Sequence, residues 1–184
     1  AGDRKGLKAE LTVRNMRGEA LKTTTISPLD IRNDTTTPIT KVGKYEDLAE
    51  NYTEQTDVLY IDLKLYDEHG EILSENFYLK GKEYGNYQAL NQLPKMTPTV
   101  DFEYSKTGNT WNGKVHIGNQ TKIPSLLIRL NVLGEDGEQI LPLIYSDNYF
   151  SLMPGEKKEV ALQWKEEDTR GKRPHLSVTG FNVK

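Results

Sequence analysis

Apolar and polar residues alternate with a period of two through much of the chain. Between Leu7 and Val13 the residues Leu7, Ala9, Leu11 and Val13 alternate with Lys8, Glu10 and Thr12. Successive side chains of an extended chain point to opposite faces, so the run predicts a strand with one face on a core and one in water. The pattern recurs at Leu59, Ile61, Leu63 and Leu65 against Tyr60, Asp62, Lys64 and Tyr66. It returns at Leu126, Ile128, Leu130 and Val132 against Leu127, Arg129, Asn131 and Leu133, and again at Val160, Leu162 and Trp164. No stretch of about twelve residues sustains the 3.6-residue spacing of an amphipathic helix, although Tyr45–Glu54 and Tyr84–Leu93 each have room for a short helical turn. The expected fold class is all-β.

Three connections share one grammar. Asn15-Met16-Arg17-Gly18-Glu19, Asp67-Glu68-His69-Gly70-Glu71 and Gly134-Glu135-Asp136-Gly137-Glu138 each set a polar pair and a Gly between strand-like runs. A Gly there supplies the positive φ of a short hairpin loop with a bulge. Met153-Pro154-Gly155-Glu156 reads as a type II turn, with Pro fixing the first central φ and Gly meeting the second. Thr35-Thr36-Thr37-Pro38 and Lys95-Met96-Thr97-Pro98 interrupt the strand pattern, because Pro cannot donate to a ladder. The second of these reads as a linker, with strand-like runs filling either side. Two antiparallel β-sandwiches in tandem are therefore expected, over residues 1–94 and 95–184.

Composition narrows the function classes. The 184 residues carry 24 Lys and Arg against 27 Asp and Glu, a formal net charge of −3 with the signs mixed. That balance offers no basic stripe for phosphates, so nucleic acid is not an expected partner. No apolar run approaches the length needed to cross a bilayer, so a membrane is not expected either. The absence of Cys removes disulfides, thiolate nucleophiles and Cys-ligated zinc. His69, His116 and His175 fall in a turn, on a polar strand face and after a Pro, without metal-ligand spacing, and read as solvated. Glu166-Glu167-Asp168 reads as a solvated loop. No Gly-rich phosphate loop and no nucleophile elbow follow a strand. The sequence thus nominates no catalytic, metal-binding or cofactor-binding residue.

Two segments are richer than sandwich architecture requires. The run from Ile140 to Glu156 inserts Ser146-Asp147-Asn148 between apolar stretches before the Pro-Gly turn. Asp and Asn bond to neighbouring backbone and tolerate unusual φ, which suits a bend or strand switch. The alternative is that Asp147, Asn148 and Tyr149 form a polar and aromatic surface for a sugar or a neighbouring domain. The other segment, Leu73-Ser74-Glu75-Asn76-Phe77-Tyr78-Leu79, leads into Tyr84 and Tyr87.

At these segments the sequence resembles the C-terminal β-sandwich region of glycoside hydrolase family 2 enzymes, in the β-mannosidase and exo-β-glucosaminidase branch. The resemblance rests on a closing hairpin similar to Leu65-Tyr66-Asp67-Glu68-His69-Gly70-Glu71-Ile72-Leu73-Ser74-Glu75-Asn76-Phe77-Tyr78. It continues through Tyr145-Ser146-Asp147-Asn148-Tyr149-Phe150, Leu152-Met153-Pro154-Gly155-Glu156 and a final strand like Val178-Thr179-Gly180-Phe181-Asn182-Val183. The resemblance implies two immunoglobulin-like sandwiches, the first short of an edge strand at its opening. It implies a parent enzyme that hydrolyses terminal β-glycosidic bonds with retention, through two Glu residues on a (β/α)8 barrel. No alternating β/α region occurs here, so no catalytic residue is carried over. The expected role is non-catalytic: to support the barrel and wall one side of its pocket, in a periplasmic or secreted enzyme. The rival expectation is an independent carbohydrate-binding or adhesion module with exposed Tyr and Trp as its platform. Burial of Trp111, Trp164 and the Tyr residues would remove that rival's chief support.

Overall fold

A computed structural model of the chain describes residues 2–49 and 56–184. The fold is all-β, of the immunoglobulin-like sandwich class, and the chain divides into two compact units, Ala1–Gln92 and Leu93–Lys184. The first contains strands β1 (Arg4–Arg14), β2 (Ala20–Ile31), β3 (Val58–Tyr66) and β4 (Ile72–Gly81), with helix α1 (Tyr45–Ala49) and a 3-10 turn at Gln88–Gln92. Both helical pieces fall where short turns had room, and residues 50–54 of the first such stretch lie outside the described residues. The strands form one antiparallel sheet in the order β2-β1-β3-β4. Register explains its buried face, since Leu11 stands beside Leu63 and Val13 beside Ile61, and Tyr45 and Leu48 of α1 pack onto them with Leu59.

Two features of this unit depart from the alternating pattern. Tyr60, assigned to the solvent face, is fully buried, its ring against Phe77 and its hydroxyl donating to the Met16 carbonyl at 3.2 Å. On the same face Arg14 Nε donates to Asp62 Oδ2 at 2.6 Å. Among the described residues this unit holds a single sheet, where the sequence suggested a sandwich lacking only an edge strand. Alternation reports that one face is buried; it carries no information about what covers it.

The second unit contains β5 (Thr99–Thr107), β6 (Thr110–Gly118), β7 (Ser125–Leu133), β8 (Ile144–Tyr145), β9 (Phe150–Leu152), β10 (Lys157–Lys165) and β11 (His175–Thr179). A sheet β5-β6-β10-β8 faces a sheet β11-β7-β9. Val115, Ile117, Val160, Leu162 and Trp164 from the first interleave with Ile128, Leu130, Val132, Phe150 and Leu152 from the second in one core. At one end of it Trp111 and Trp164 stack with an interplanar angle of 10°, flanked by Tyr104. Trp164 is 2% exposed and Trp111 is half-buried, so neither offers an open stacking platform for a sugar.

The three repeated connections fold alike. Gly18, Gly70 and Gly137 all have positive φ, at 82°, 88° and 80°. Each donates its N–H back to the first loop residue, Asn15, Asp67 or Gly134, whose own N–H is bonded by Glu19, Glu71 or Glu138. Lys95–Pro98, read as a linker, is instead part of the second unit. Met96 is buried, bridges Val183 in parallel, accepts from Lys184 N and donates to the Asn182 carbonyl. Nor does the last strand run on to Val183, for β11 ends at Thr179. A Cβ on Gly180 would stand 2.7 Å from Val183 Cγ2 and 3.0 Å from the Leu126 carbonyl, so the chain turns inward there.

Candidate functional site

The segment singled out in sequence is a crossing between the two sheets of the second unit. Ser146 belongs to the first sheet: its N–H donates to the Ala161 carbonyl and its Oγ accepts from Ala161 N, both at 2.9 Å. Asn148 belongs to the second. Its Oδ1 accepts from Leu130 N at 2.8 Å and its Nδ2 donates to the Leu130 carbonyl at 3.0 Å. A side-chain amide thus bonds β7 as a strand residue's backbone would, and extends the β7-β9 ladder past its last residue. Between them Asp147 Oδ1 accepts from Asn148 N at 2.7 Å, and its Oδ2 pairs with Lys158 Nζ at 2.7 Å. Lys158 also lies 5.2 Å from the centroid of Phe150.

Tyr149 behaves differently from its two neighbours. Its side chain is 61% exposed, its φ is +61°, and the Arg129 guanidinium lies over its ring at 5.9 Å from the centroid. The structure therefore brings the three sequence-nominated residues together but divides their work. Asp147 and Asn148 tie the crossing to β10 and β7, and Tyr149 faces outward.

Two further asparagines do similar work and carried no local signal that separated them from ordinary loop residues. Asn182, 1% exposed, accepts from Leu126 N at 3.0 Å and donates to the carbonyls of Pro124 at 2.8 Å and Pro94 at 3.2 Å. Asn119, equally buried, donates from Nδ2 to the carbonyls of Ile123 at 2.7 Å and Leu152 at 3.0 Å, and its Oδ1 accepts from Thr121 N.

The ionisable groups are engaged in local structure. Lys106, at 2.9 Å, and the Trp111 indole N–H both bond Glu166 and hold its carboxyl below the usual range. Glu166 opens a short 3-10 turn, Glu166–Thr169, in which Asp168 accepts from Lys165 N, so the acidic triplet read as loop is a capped turn. Lys172 lowers Asp136 in the same way, and backbone N–H groups of its own hairpin, Glu71 first, lower Asp67. Burial raises the pKa of Tyr60 and of Tyr145. His69 and His116 each stand 3.5 Å from a Glu on the surface, and His175 is exposed. Among the described residues no group of three or more His, Asp or Glu is placed to hold a metal, and no helix is long and apolar enough to cross a membrane.

Against this geometry stand the similarities to known proteins. A family model described as exo-beta-D-glucosaminidase Ig-fold domain matches residues 76–183. The exo-beta-D-glucosaminidase of Arthroderma benhamiae is 28% identical over 169 residues, covering 80% of this chain and 18% of that protein. That of Hypocrea jecorina is 26% identical over 163 residues, covering 77% of this chain and 18% of the relative. The crystal structure of an exo-chitosanase from Amycolatopsis orientalis superposes with a TM-score of 0.82 at 18% identity, over 99% of this chain and 23% of that one. At that identity the likeness speaks for the fold. The chain spans about a fifth of the length of the curated relatives it matches.

Proposed function

Because the chain belongs to the exo-beta-D-glucosaminidase Ig-fold domain family, we propose that it is a non-catalytic accessory region of a family 2 glycoside hydrolase of the exo-β-glucosaminidase kind. In this reading it packs against the enzyme's catalytic barrel, stabilises it, and contributes to the wall of its substrate pocket. The parent reaction is retaining hydrolysis of a terminal β-glycosidic bond by a carboxylate pair outside these residues.

The observation that carries the reading is coverage: the whole chain aligns, in fold, with under a quarter of a larger enzyme. The chemistry is in keeping with it. A glycosidase acid needs a raised pKa, whereas Asp67, Asp136 and Glu166, among the described residues, are held down. The rival reading, a free-standing sugar-binding module, loses Trp164 to the core and finds Trp111 half-buried against it, and keeps only exposed tyrosines such as Tyr78 and Tyr84 as a platform.

The test is kinetic. The isolated chain is expected to leave aryl β-glucosaminides and β-mannosides unhydrolysed, and deleting it from the full enzyme is expected to lower the barrel's thermal midpoint by several degrees. Turnover by the isolated chain that disappears on mutation of one of its own carboxylates would overturn the reading. So would a full enzyme indifferent to the deletion.

A further inference from the structure

Two bulky residues of the second unit hold backbone conformations that ordinarily belong to glycine. Leu127 has a φ of +52° and Tyr149 of +61°. In the left-handed region Cβ crowds the neighbouring carbonyl, and for a Leu or Tyr this is a true outlier that the surrounding structure must enforce. Here the enforcement is visible. Ser125 faces Leu152 and Ile128 faces Phe150, so three steps on β7 match two on β9, and the extra residue makes a bulge. Leu127 N donates to Ser151 Oγ at 3.2 Å, Leu126 N to Asn182 Oδ1 at 3.0 Å, and Asn148 clamps Leu130 on both sides.

Across the bulge the alternation of the strand holds. Leu126 enters the core, while Leu127 turns outward and is 44% exposed. Arg129, half-buried, stands two residues along β7 from Leu127 and lies over the Tyr149 ring. Arg129 has no carboxylate partner among the described residues, whereas Lys158 on β10 holds Asp147. The patch is therefore a cation over the ring of Tyr149, with no carboxylate against it among the described residues, flanked by two exposed bulky side chains whose backbone is strained.

We propose that Leu127, Arg129 and Tyr149 form the patch on which the catalytic domain of the parent enzyme docks, with a carboxylate of that domain meeting Arg129. The inference rests on the accessory reading above. A guanidinium framed by an aromatic and an aliphatic side chain is the composition of an interface anchor, and its ordering before contact reduces the entropy lost on docking. Charge decides in favour of a protein surface with an acidic group. A neutral sugar ring would need the face of Tyr149, and the guanidinium lies over it.

The test uses Tyr149→Gly, Arg129→Glu and Arg129→Lys in both the isolated chain and the full enzyme, with Leu130→Ala as a core benchmark. In the isolated chain the urea midpoint is expected to hold or rise for Tyr149→Gly, because the strained φ is released, and to fall clearly for Leu130→Ala. When the chain is titrated onto enzyme lacking it, Tyr149→Gly and Arg129→Glu are expected to weaken association by about tenfold or more, with Arg129→Lys intermediate. Should Tyr149→Gly destabilise the isolated chain as much as Leu130→Ala does, the side chain serves the fold and the proposal is overturned. If the wild-type chain stabilises the enzyme but the patch variants associate normally, the patch alone fails. A chain whose removal has no effect defeats the accessory reading and this proposal with it. Protection of the wild-type chain by glucosamine oligomers that the variants lose, without change in association, would make the patch a sugar contact and overturn the proposal as well.

Discussion

The two units solve the same problem, burial of one face of a twisted antiparallel sheet, with different materials. In the second, a four-stranded sheet is covered by a three-stranded one, and side chains from both layers interleave in a core built around Trp164. In the first, the described residues offer only the five-residue helix α1 over Leu11, Val13, Leu59 and Ile61, and Leu63 stays half-buried. A second sheet supplies a full row of side chains at every strand crossing; one turn of helix supplies two. The second unit should therefore be the more stable and the more cooperative of the two. The family match, residues 76–183, takes in all but its last residue and only the end of the first unit.

The largest effect expected to separate the units is Trp164→Ala. It removes the largest buried side chain of the second core and should cost about 3–5 kcal/mol. Both tryptophans lie in the second unit, at positions 111 and 164, so intrinsic fluorescence follows that unit and far-UV circular dichroism follows both. The fluorescence midpoint in urea should drop steeply in the variant while a separate part of the dichroism change stays in place. Coincident shifts of both signals would show that the units unfold as one.

Next in size is Asn182→Ala, which orphans Leu126 N and the carbonyls of Pro94 and Pro124. A loss of about 2–3 kcal/mol, again confined to the fluorescence-detected transition, is expected. Asn148→Ala should cost less, about 1–2 kcal/mol, because its site is partly open to water. A ranking in the opposite order would mean that the crossing, not the C-terminal tuck, fastens the second sheet.

The smallest effect is that of pH. Asp67, Asp136 and Glu166 have folded pKa values below their unfolded ones. A depressed carboxylate contributes stability above its unfolded pKa, and the contribution is lost as pH falls through the folded value. Denaturation midpoints should accordingly be level from neutral pH to about 5 and decline below about 4. Salt near 1 M should mute the decline in the second unit, where Lys106 and Lys172 hold Glu166 and Asp136 down. It should mute the decline less in the first, where backbone N–H groups act on Asp67.

How much of this was legible follows from the range of each interaction. Leu126, Ile128, Leu130 and Val132 announce their strand because alternation is local, and all four are buried as the pattern requires. Gly18, Gly70 and Gly137 announce their turns because positive φ is a property of one residue. What lay beyond reach depends on distant partners. The bulge at Leu127 leaves the alternation of its strand intact, and nothing in Gly180-Phe181-Asn182-Val183 says that Asn182 will turn inward to bond residues 94, 124 and 126. Tyr60 reads as solvent-facing because its cover, Phe77 and the loop carbonyl of Met16, comes from other strands. For Asp147-Asn148-Tyr149 the residue types signalled a change of chain direction, but the outward display of Tyr149 required the fold.

The buried amide of Asn119 also bears on where this chain can be made. Asn119-Gln120-Thr121 has the form of an acceptor for N-linked glycans. Its Nδ2 is the nitrogen that donates to Ile123 and Leu152, so glycan attachment and folding compete for one atom. In a eukaryotic secretory pathway, sugar transferred to the emerging chain at this position would leave a polypeptide unable to close its second unit. Asn33-Asp34-Thr35 has the same form with the opposite outcome, since Asn33 is exposed and its amide donates only to the neighbouring Asp34. A glycan there would ride on the surface of a folded protein, while one at Asn119 would mark a chain that never folded.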